Sequence, residues 1–304
     1  MIEDHERRII AVVVTFNRLA LLQRLVARLR EVPELAEILV VDNASGDGTG
    51  EWLDEQHDLV VRRLDRNRGG AGGFHEGLGL AVDRDADLVW LMDDDGLPDP
   101  DSLATLLDHA GELDLWGPVV VDEQDPDRLV FPIRLPGGTS VVHRMDDVTR
   151  AAPEGVIRDV VIPFNGVLVT RELVQRIGLV REEYFIWGDD HEYRLRAEAA
   201  GARIATITSA RVRHPSVGEL GTPMMFGRTT YNHSPSDLKH YCMARNNLLN
   251  LRDYRGWPHA LAFVGKTLWF YTVTRRDPAR IKLSMEAMRS GLRGDFTGHE
   301  RFLS

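Results

Sequence analysis

Short apolar runs alternate with a helical pattern at the start of this chain, and they restrict the fold more than any other feature. Residues 9–14 read IIAVVV, and residues 37–42 read EILVVD. Such uninterrupted runs are typical of strands that are buried on both faces of a parallel sheet. Between them, Leu19, Leu22, Leu25, Val26 and Leu29 follow helical spacing. The pattern predicts an α/β fold with a Rossmann-like, mostly parallel sheet flanked by helices.

A third apolar run, DLVWLMDDDG at residues 87–96, ends in three aspartates. Side chains alternate along an extended chain, so Asp93 and Asp95 point to the same side. Their carboxylates repel each other unless a cation lies between them. Hard oxygen ligands suit Mg²⁺ or Mn²⁺, which commonly bridge protein carboxylates to substrate phosphates. The alternative interpretation is a solvated acidic turn after a strand.

The second strand ends in Asp42, and ligands of open α/β sheets bind at this edge. An acidic residue in this position can accept hydrogen bonds from a ribose or a base. The turn-rich residues 43–49 that follow are interpreted as a plain loop. Asp42 is therefore the residue of this segment that indicates a nucleotide contact.

Glycines are concentrated in the segment DRNRGGAGGFHEGL, residues 65–78. Four glycines in five residues let the backbone approach a ligand closely, and a helix is predicted to begin within the run. The segment is neither a Rossmann GxGxxG after an apolar strand nor a P-loop. Together with Arg66, Asn67 and Arg68, it indicates a contact loop for a nucleotide or a sugar phosphate.

An aromatic and acidic segment, YFIWGDDHEYRLRAEAAG, occupies residues 184–201 and leads into a predicted helix. Acidic residues are favoured at a helix N-terminus, which accounts for Asp189 and Asp190 without any chemistry. It does not account for the preceding residues FIW, which indicate a ligand wall. His214 closes a later short strand and is either a structural histidine or a metal ligand.

The coarse organisation of the chain follows from the same patterns. Strands are predicted near residues 9–14, 37–42, 59–64, 87–92 and 117–121. Residues 122–160 are interpreted as loops with short strands, and residues 161–178 as a strand followed by a helix. Residues 215–236 are predicted to form a mobile lid, and the chain beyond Ser236 is mostly helical. The resulting domains are 1–236 and a helical C-terminal extension, 237–304.

Composition restricts the partners and the compartment. The net charge of −10 and the pI of about 5.6 argue against a nucleic-acid partner held by counterion release. The single cysteine, Cys242, excludes an intramolecular disulfide and a Cys-based zinc site, as expected of a cytosolic chain. The polar start MIEDHERR predicts that there is no signal peptide.

The helical tail contains an aromatic stretch, WPHALAFVGKTLWFYTVTRR, at residues 257–276. Lys266 interrupts it, and its apolar part is shorter than the ~20 residues that a membrane span needs. Interfacial helices often combine such aromatics with flanking basic residues. A core-packing helix and a dimer interface remain the alternatives.

Taken in chain order, these elements resemble the inverting nucleotide-sugar glycosyltransferases of the GT-A fold. The resemblance covers residues 9–215, and the matching elements are VVVTFNR, VVDNASGDGT, NRGGAGG, MDDDG, WGDDHE and VRH. Within this group, NRGGAGGF and FIWGDDHE are most similar to the galactofuranosyltransferases that build actinobacterial cell-wall galactan. The chain length and the C-terminal pattern resemble the initiating enzyme of that pathway.

This resemblance implies a direct displacement that inverts the anomeric carbon, with Mn²⁺ or Mg²⁺ as cofactor. The implied donor is UDP-galactofuranose, and the implied acceptor is a rhamnose-containing glycan linked to a polyprenyl diphosphate. It also implies a cytoplasmic protein at the inner face of the plasma membrane. A rhamnosyltransferase that uses dTDP-rhamnose and a non-catalytic nucleotide-sugar binding protein are the alternatives. The oligomeric state is left open.

The same resemblance assigns roles to individual residues. Asp190 is the expected general base, with Asp189 as its rival. The expected metal ligands are Asp93, Asp95 and His214. The expected nucleotide contacts are Thr15, Arg18, Asp42, Asn67 and Asp94. The expected sugar or acceptor contacts are Trp187, Asp189, His191 and Asn165.

Overall fold

The apolar runs of the sequence form strands of one large sheet. The computed structural model describes residues 7–138, 140–162, 164–218, 221–225, 227 and 229–303. Its strands are β1 Ile9–Thr15, β2 Glu37–Asp42, β3 Leu59–Arg63, β4 Leu88–Asp93, β5 Leu97–Pro98, β6 Leu115–Asp122, β7 Arg128–Arg134, β8 Val141–Arg144, β9 Val156–Arg158, β10 Asn165–Thr170, β11 Ile204–His214, β12 Thr222–Met224 and β13 Thr229–Tyr231. Its helices are α1 Leu19–Leu29, α2 Thr49–Asp54, α3 Gly69–Asp83, α4 Ser102–Leu107, α5 Met145–Ala151, α6 Arg171–Ile177, α7 Asp189–Ala199, α8 Asp237–Arg255, α9 Trp257–Trp269 and α10 Pro278–Leu292.

Eleven strands of the described residues, β1 to β11, belong to one mixed sheet. The strand β1 lies between β2 and β4 and runs parallel to both, and β3 extends the parallel part beyond β2. The main strand order is β3-β2-β1-β4-β10-β6-β11-β5, and β7, β8 and β9 pair at its side. The strand β10 is antiparallel to β4 and to β6. The predicted mostly parallel sheet with flanking helices is confirmed.

Apolar side chains of the helices and strands form the core around this sheet. The helix α1 buries Leu22, Leu25, Val26 and Leu29, as its helical spacing predicts. Two buried tryptophans at the centre also satisfy their polar atoms. The Nε1 of Trp90 donates to the Gly166 carbonyl at 2.8 Å, and the Nε1 of Trp116 donates to the Leu106 carbonyl at 2.9 Å.

Glycines allow α3 to lie directly on the central strand. A Cβ atom at Gly73 would come within 2.4 Å of Val14, and a Cβ atom at Gly77 would come within 2.4 Å of Val12. At Gly70, by contrast, a Cβ atom would meet nothing within 4 Å. The sequence pattern assigned the glycine run to ligand approach, whereas the structure gives Gly73 a role in packing the helix against the sheet.

Two compact units divide the chain. The first consists of Met1–Glu182 and Ala197–Ser216 and contains the eleven-stranded sheet. The second consists of Glu183–Arg196 and Val217–Ser304 and contains the β12–β13 hairpin and helices α8 to α10. The predicted helical C-terminal region is confirmed, and the domain boundary after Ser236 stays a prediction.

A buried histidine ties three helical segments of the second unit together. Ser284 Oγ donates to the Arg280 carbonyl at 2.8 Å, so it accepts the hydrogen bond from His240 Nε2 at 2.9 Å. The hydroxyl of Tyr271 donates to His240 Nδ1 at 3.2 Å. The ring is therefore neutral, in agreement with burial, which lowers the pKa of His240 to about 4.

Two segments that the sequence left irregular contain short elements. Between residues 122 and 160 lie β7, β8, α5 and β9, which agrees with the predicted loops and short strands. Within residues 215–236, the strands β12 and β13 form a hairpin. Residues 219, 220, 226 and 228 lie outside the described residues, and the lid role of this segment stays a prediction.

The packing of α3 against β1 generates a stability prediction. We expect Gly77→Ala to lower the free energy of unfolding by about 1–3 kcal/mol, because the new methyl group overlaps Val12 in a filled core. Gly70→Ala is the matched control in the same helix, and it should be neutral or stabilising because its Cβ meets open space. Urea denaturation followed by circular dichroism measures both. Equal midpoints for wild type and Gly77→Ala would refute this packing role.

Candidate active site

The carboxyl ends of neighbouring parallel strands place polar side chains along one edge of the sheet. In the sheet register, Thr15 of β1 pairs with Asp42 of β2, and Val14 pairs with Asp93 of β4. Asp94 and Asp95 follow directly after β4. The structure thus gathers most of the residues that were predicted to bind nucleotide and metal at the edge where open α/β sheets bind ligands.

Asp94 is the buried anchor of this edge. Its carboxylate accepts a hydrogen bond from Thr15 Oγ1 at 2.8 Å and one from Arg18 Nη1 at 3.1 Å. Burial raises the pKa of Asp94, against the opposing charge of Arg18 and the hydrogen bond from Thr15. Arg18 Nη1 also donates to Asp95, so one guanidinium spans two of the three aspartates. This arrangement fixes Thr15, Arg18 and Asp94 relative to one another.

Asp95 and His214 form the second contact of the edge. His214 Nε2 lies 3.1 Å from Asp95 Oδ1, and the other ring nitrogen, Nδ1, donates to the Pro215 carbonyl at 2.7 Å. Burial lowers the pKa of His214, but the hydrogen bond and charge of Asp95 outweigh it and raise the pKa overall. Burial likewise raises the pKa of Asp95, but His214 and Arg18 outweigh it and hold the value below its ordinary range. The histidine and the carboxylate are therefore paired as cation and anion.

The donor atoms of this pair fit a divalent cation. The carbonyl of Pro215 only accepts, so Nδ1 carries a hydrogen, and Nε2 is the ring nitrogen that would bind a cation after losing its proton. A carboxylate oxygen and an imidazole nitrogen are both ligands that Mn²⁺ accepts. In the described part of the chain, no group of three or more His, Cys, Asp or Glu side chains is arranged to hold a metal ion. The structure thus joins two of the three predicted ligands, and the assignment of Asp93 as the third stays a prediction.

Asp42 and two asparagines connect the loops beside the sheet edge. Asp42 Oδ1 accepts the Ser45 backbone N–H at 2.9 Å, and Asn67 Oδ1 accepts that of Gly69 at 2.8 Å. Asn43 is buried, and its side chain donates to the Gly69 carbonyl and accepts from Arg68 N, both at 2.8 Å. The sequence interpretation passed over Asn43 as part of a plain loop. Its place directly after a strand-end aspartate was the signal that would have identified it.

Asn165 lies at the start of β10, next to the end of β4. It pairs with Met92 in the sheet register, and its side chain is buried. Its Oδ1 would lie 3.5 Å from a Cβ atom built at Gly96, just after the three aspartates. This places Asn165 in the same neighbourhood as Asp93–Asp95, while its assigned sugar or acceptor contact stays a prediction.

The WGDDHE segment belongs to the second unit, where it forms a tight loop and the start of α7. Phe185 and Trp187 both adopt φ +65°, a left-handed conformation that bulky residues rarely take, and Gly188 follows at φ +95°. Such residues cost of order 1–3 kcal/mol each and persist only where their surroundings hold them. Asp189 and Asp190 then occupy the first turn of α7.

The two aspartates of this turn differ in environment. Asp189 is buried, and burial together with the charge of Asp190 raises its pKa to about 8. Burial also raises the pKa of Asp190, while the backbone N–H groups of His191 and Gly188 oppose that shift. Adjacent carboxylates in such a site share one proton. The side chains also differ in exposure, because Asp189 is buried whereas Asp190 is partly exposed.

Residues next to Asp189 and Asp190 in the sequence differ in how far their side chains are buried. Glu192 is fully buried, and its carboxylate binds Arg196 at 2.9 Å and accepts from the Tyr254 hydroxyl at 2.5 Å, which makes it a structural residue of α7. Trp187 and His191 are partly exposed. Their assigned roles as sugar or acceptor contacts stay predictions.

Comparisons with known proteins identify a family and relatives of this chain. The family described as "Glycosyl transferase family 2" matches residues 10–151. The galactofuranosyltransferase GlfT1 of Mycobacterium tuberculosis (strain ATCC 25618 / H37Rv) is 31% identical over 303 residues, which cover 95% of this chain and 96% of that protein. GlfT1 of Mycolicibacterium smegmatis is 30% identical over 304 residues, which cover 96% and 99% of the two chains.

A solved structure shows the same fold at lower sequence identity. The mannosyltransferase from Pyrobaculum calidifontis in complex with GDP-Man and Mn²⁺ superposes with a TM-score of 0.52 at 18% identity, covering 99% of this chain and 79% of that one. The predicted GT-A fold is confirmed by this likeness. Together with the similarity to GlfT1 along nearly the whole chain, it shows that the protein belongs to glycosyl transferase family 2, as a relative of the GlfT1 galactofuranosyltransferases.

Proposed function

We propose that the protein is an inverting glycosyltransferase that moves galactofuranose from UDP-galactofuranose to a polyprenyl-diphosphate-linked, rhamnose-containing acceptor during cell-wall galactan synthesis. One observation carries the proposal: the Thr15, Arg18, Asp94, Asp95 and His214 network lies at the ligand edge of a GT-A sheet. The choice of galactofuranose rests on the likeness to the GlfT1 proteins.

The donor nucleotide is proposed to bind along the strand ends. Thr15, Arg18 and Asp94 are already held together, so they present a preformed surface rather than one that must be ordered on binding. Arg18 is about half exposed and supplies positive charge toward a diphosphate. Asp42 and Asn67 complete the proposed nucleotide contacts.

Asp95 and His214, with Asp93, are proposed to hold Mn²⁺ or Mg²⁺. Such a cation, when bound, would offset the negative charge that develops on the diphosphate leaving group. The chain's own contribution is to orient the two ligands: Pro215 fixes the tautomer of His214, and Arg18 steers the Asp95 carboxylate.

Asp190 is proposed to be the general base. Inversion by direct displacement needs one base that takes the proton of the acceptor hydroxyl as the new glycosidic bond forms and the bond to the diphosphate breaks. Asp190 is the partly exposed carboxylate of the pair and Asp189 is buried, so Asp190 is the one that an acceptor hydroxyl can reach. The positive end of α7 favours its charge.

The proposed function is tested by a transfer assay across a donor panel. Purified protein, a polyprenyl-diphosphate acceptor and Mn²⁺ are combined with UDP-galactofuranose, UDP-galactopyranose, dTDP-rhamnose or GDP-mannose. We expect the highest rate with UDP-galactofuranose, and no transfer in excess EDTA. A highest rate with dTDP-rhamnose would instead establish the rhamnosyltransferase alternative. UDP binding without transfer from any donor would indicate a non-catalytic binding protein.

The assignment of the base generates a second prediction. Asp190→Asn keeps the shape and removes the basic oxygen, so turnover should fall by ~10²–10⁴ while UDP affinity stays unchanged. Asp189→Asn is the matched control, and it should cost less because an amide replaces a carboxyl group that is already neutral. Turnover numbers and calorimetric titration with UDP measure both effects. If Asp189→Asn had no turnover while Asp190→Asn stayed active, Asp189 and not Asp190 would be the general base.

A membrane surface is the proposed partner of α9. No helix of the described ranges is long and apolar enough to cross a bilayer. The spacing of Trp257, Leu261 and Leu268 nevertheless puts three apolar side chains on one helical face, and they are 52%, 61% and 38% exposed. Basic residues Arg275 and Arg276 follow the helix, which gives charge complementarity to anionic lipids although the whole chain is acidic. This exposed face does not include Phe270, which is fully buried and belongs to a core cluster.

Surface association is tested by sedimentation with anionic liposomes. We expect replacement of Trp257, Leu261 and Leu268 together by serine to reduce co-sedimentation, because the apolar face is lost while the buried side of α9 is untouched. Leu292→Ser is the matched control, since Leu292 is 44% exposed at the end of α10. Wild-type protein that stays in the supernatant would rule out this partner.

A further inference from the structure

We propose that Arg245, Asn246 and Asn250 of α8 are positioning residues that hold the 184–188 loop in the conformation that presents Asp190. The inference rests on the proposed role of Asp190 as the base. All of the residues concerned belong to the second unit. The three α8 residues touch the loop backbone rather than a reacting group, so they act through the loop.

The loop has a backbone conformation that its own residues do not favour. Phe185 and Trp187 are left-handed, and the Ile186 N–H closes a tight turn onto the Tyr184 carbonyl at 2.8 Å. Bulky side chains disfavour the left-handed region, so interactions outside the loop are needed to maintain this conformation. The helix α7 begins at Asp189, directly after the loop, so the loop conformation sets the direction of the first turn of α7.

The side chain of Asn246 supplies the central interaction. Its amide nitrogen Nδ2 lies 3.0 Å from the Tyr184 carbonyl, 3.2 Å from that of Ile186 and 2.7 Å from that of Trp187. Arg245 Nε donates to Asn246 Oδ1 at 2.9 Å. Because a guanidinium only donates, this bond fixes which end of the amide faces the loop. The donating end of Asn246 is therefore directed at three carbonyls of the loop.

Asn250 and a second nitrogen of Arg245 also hold the loop. The side chains of Arg245, Asn246 and Asn250 are called the clamp below. Asn250, one helical turn after Asn246, donates to the Gly188 carbonyl at 2.8 Å and accepts from the Tyr184 hydroxyl at 3.0 Å. Arg245 Nη2 donates to the Tyr184 carbonyl at 2.9 Å. Gly188 fits closely against the helix, because a Cβ atom there would lie 3.2 Å from Asn246 Cβ.

Burial shows that these polar groups are committed to the loop. Arg245 and Asn246 have no exposed surface, and Asn250 is 1% exposed. Buried polar groups are retained only where hydrogen bonds replace water. Here Asn246 and Asn250 donate to carbonyls of the loop, and Arg245 donates to Asn246, to the Tyr184 carbonyl and to the Phe296 carbonyl. The clamp thus preorganises the segment that carries Trp187, Asp189 and Asp190, as a catalytic carboxylate requires.

The test is a double-mutant cycle measured by steady-state transfer kinetics. Asn246→Ala and Asn250→Ala are prepared alone and combined with Asp190→Asn. Asn247→Ala is the matched control, because Asn247 is on the same helix and donates to none of these loop carbonyls. We expect kcat to fall by about 10²-fold in each clamp variant, since a small displacement of a reacting group has such an effect, with unchanged KM for the donor and unchanged UDP affinity.

The cycle separates positioning from general stabilisation. If the clamp acts through Asp190, removing Asn246 should cost little in the Asp190→Asn background. The proposal would be overturned if the reductions in kcat from Asn246→Ala and Asp190→Asn multiplied independently. It would also be overturned by wild-type kcat in folded Asn246→Ala and Asn250→Ala. If Asn246→Ala does not fold, Asn250→Ala carries the test, since it removes a donor to a single carbonyl. Wild-type turnover in Asp190→Asn alone would contradict the base assignment instead.

Discussion

The parallel pairing of β1 with β2 and β4 is the constraint on which the rest of the first unit depends. Parallel neighbours end at the same edge, so residues that are far apart in the sequence, such as Thr15 and Asp94, come within hydrogen-bonding distance there. The central strand β1 is buried on both faces, so a helix has to pack closely against it. Gly73 and Gly77 allow α3 to do so. With α3 packed in this way, its first residue, Gly69, lies beside Asn43, whose side chain donates to the Gly69 carbonyl.

The second unit combines an apolar cluster of side chains from α8, α9 and α10 with buried polar side chains of α8. His240, Arg245, Asn246 and Asn250 are almost completely buried, and each has specific partners. Burying such groups is favourable only when every partner is in place, so they select one arrangement of the surrounding backbone. That requirement explains how a loop with two left-handed aromatic residues is maintained next to α7.

Sequence patterns predicted the parts of the structure that depend on local periodicity. The runs at residues 9–14, 37–42 and 87–92 became β1, β2 and β4 because short apolar runs that are rich in β-branched or aromatic residues and bounded by turns favour buried strands. The antiparallel insertion of β10 between β4 and β6 could not be predicted, since it depends on pairing between distant segments. The polar run RNN in α8 gave no sign of burial, because its partners are backbone carbonyls sixty residues earlier in the chain. In the tail, the π-helical turn Phe270–Thr274 breaks the helical period, and it buries Phe270 while Trp269 is 40% exposed.

The central claim is that the Asp95–His214 pair binds the catalytic cation against the donor diphosphate. Its most direct test is a crystal structure of the protein with UDP and Mn²⁺, with diffraction data collected at the manganese absorption edge. An anomalous peak between the Asp95 carboxylate and His214 Nε2, next to the UDP phosphates, is expected. UDP bound at the strand ends with the manganese peak on other ligands, or with no peak at all, would contradict the claim.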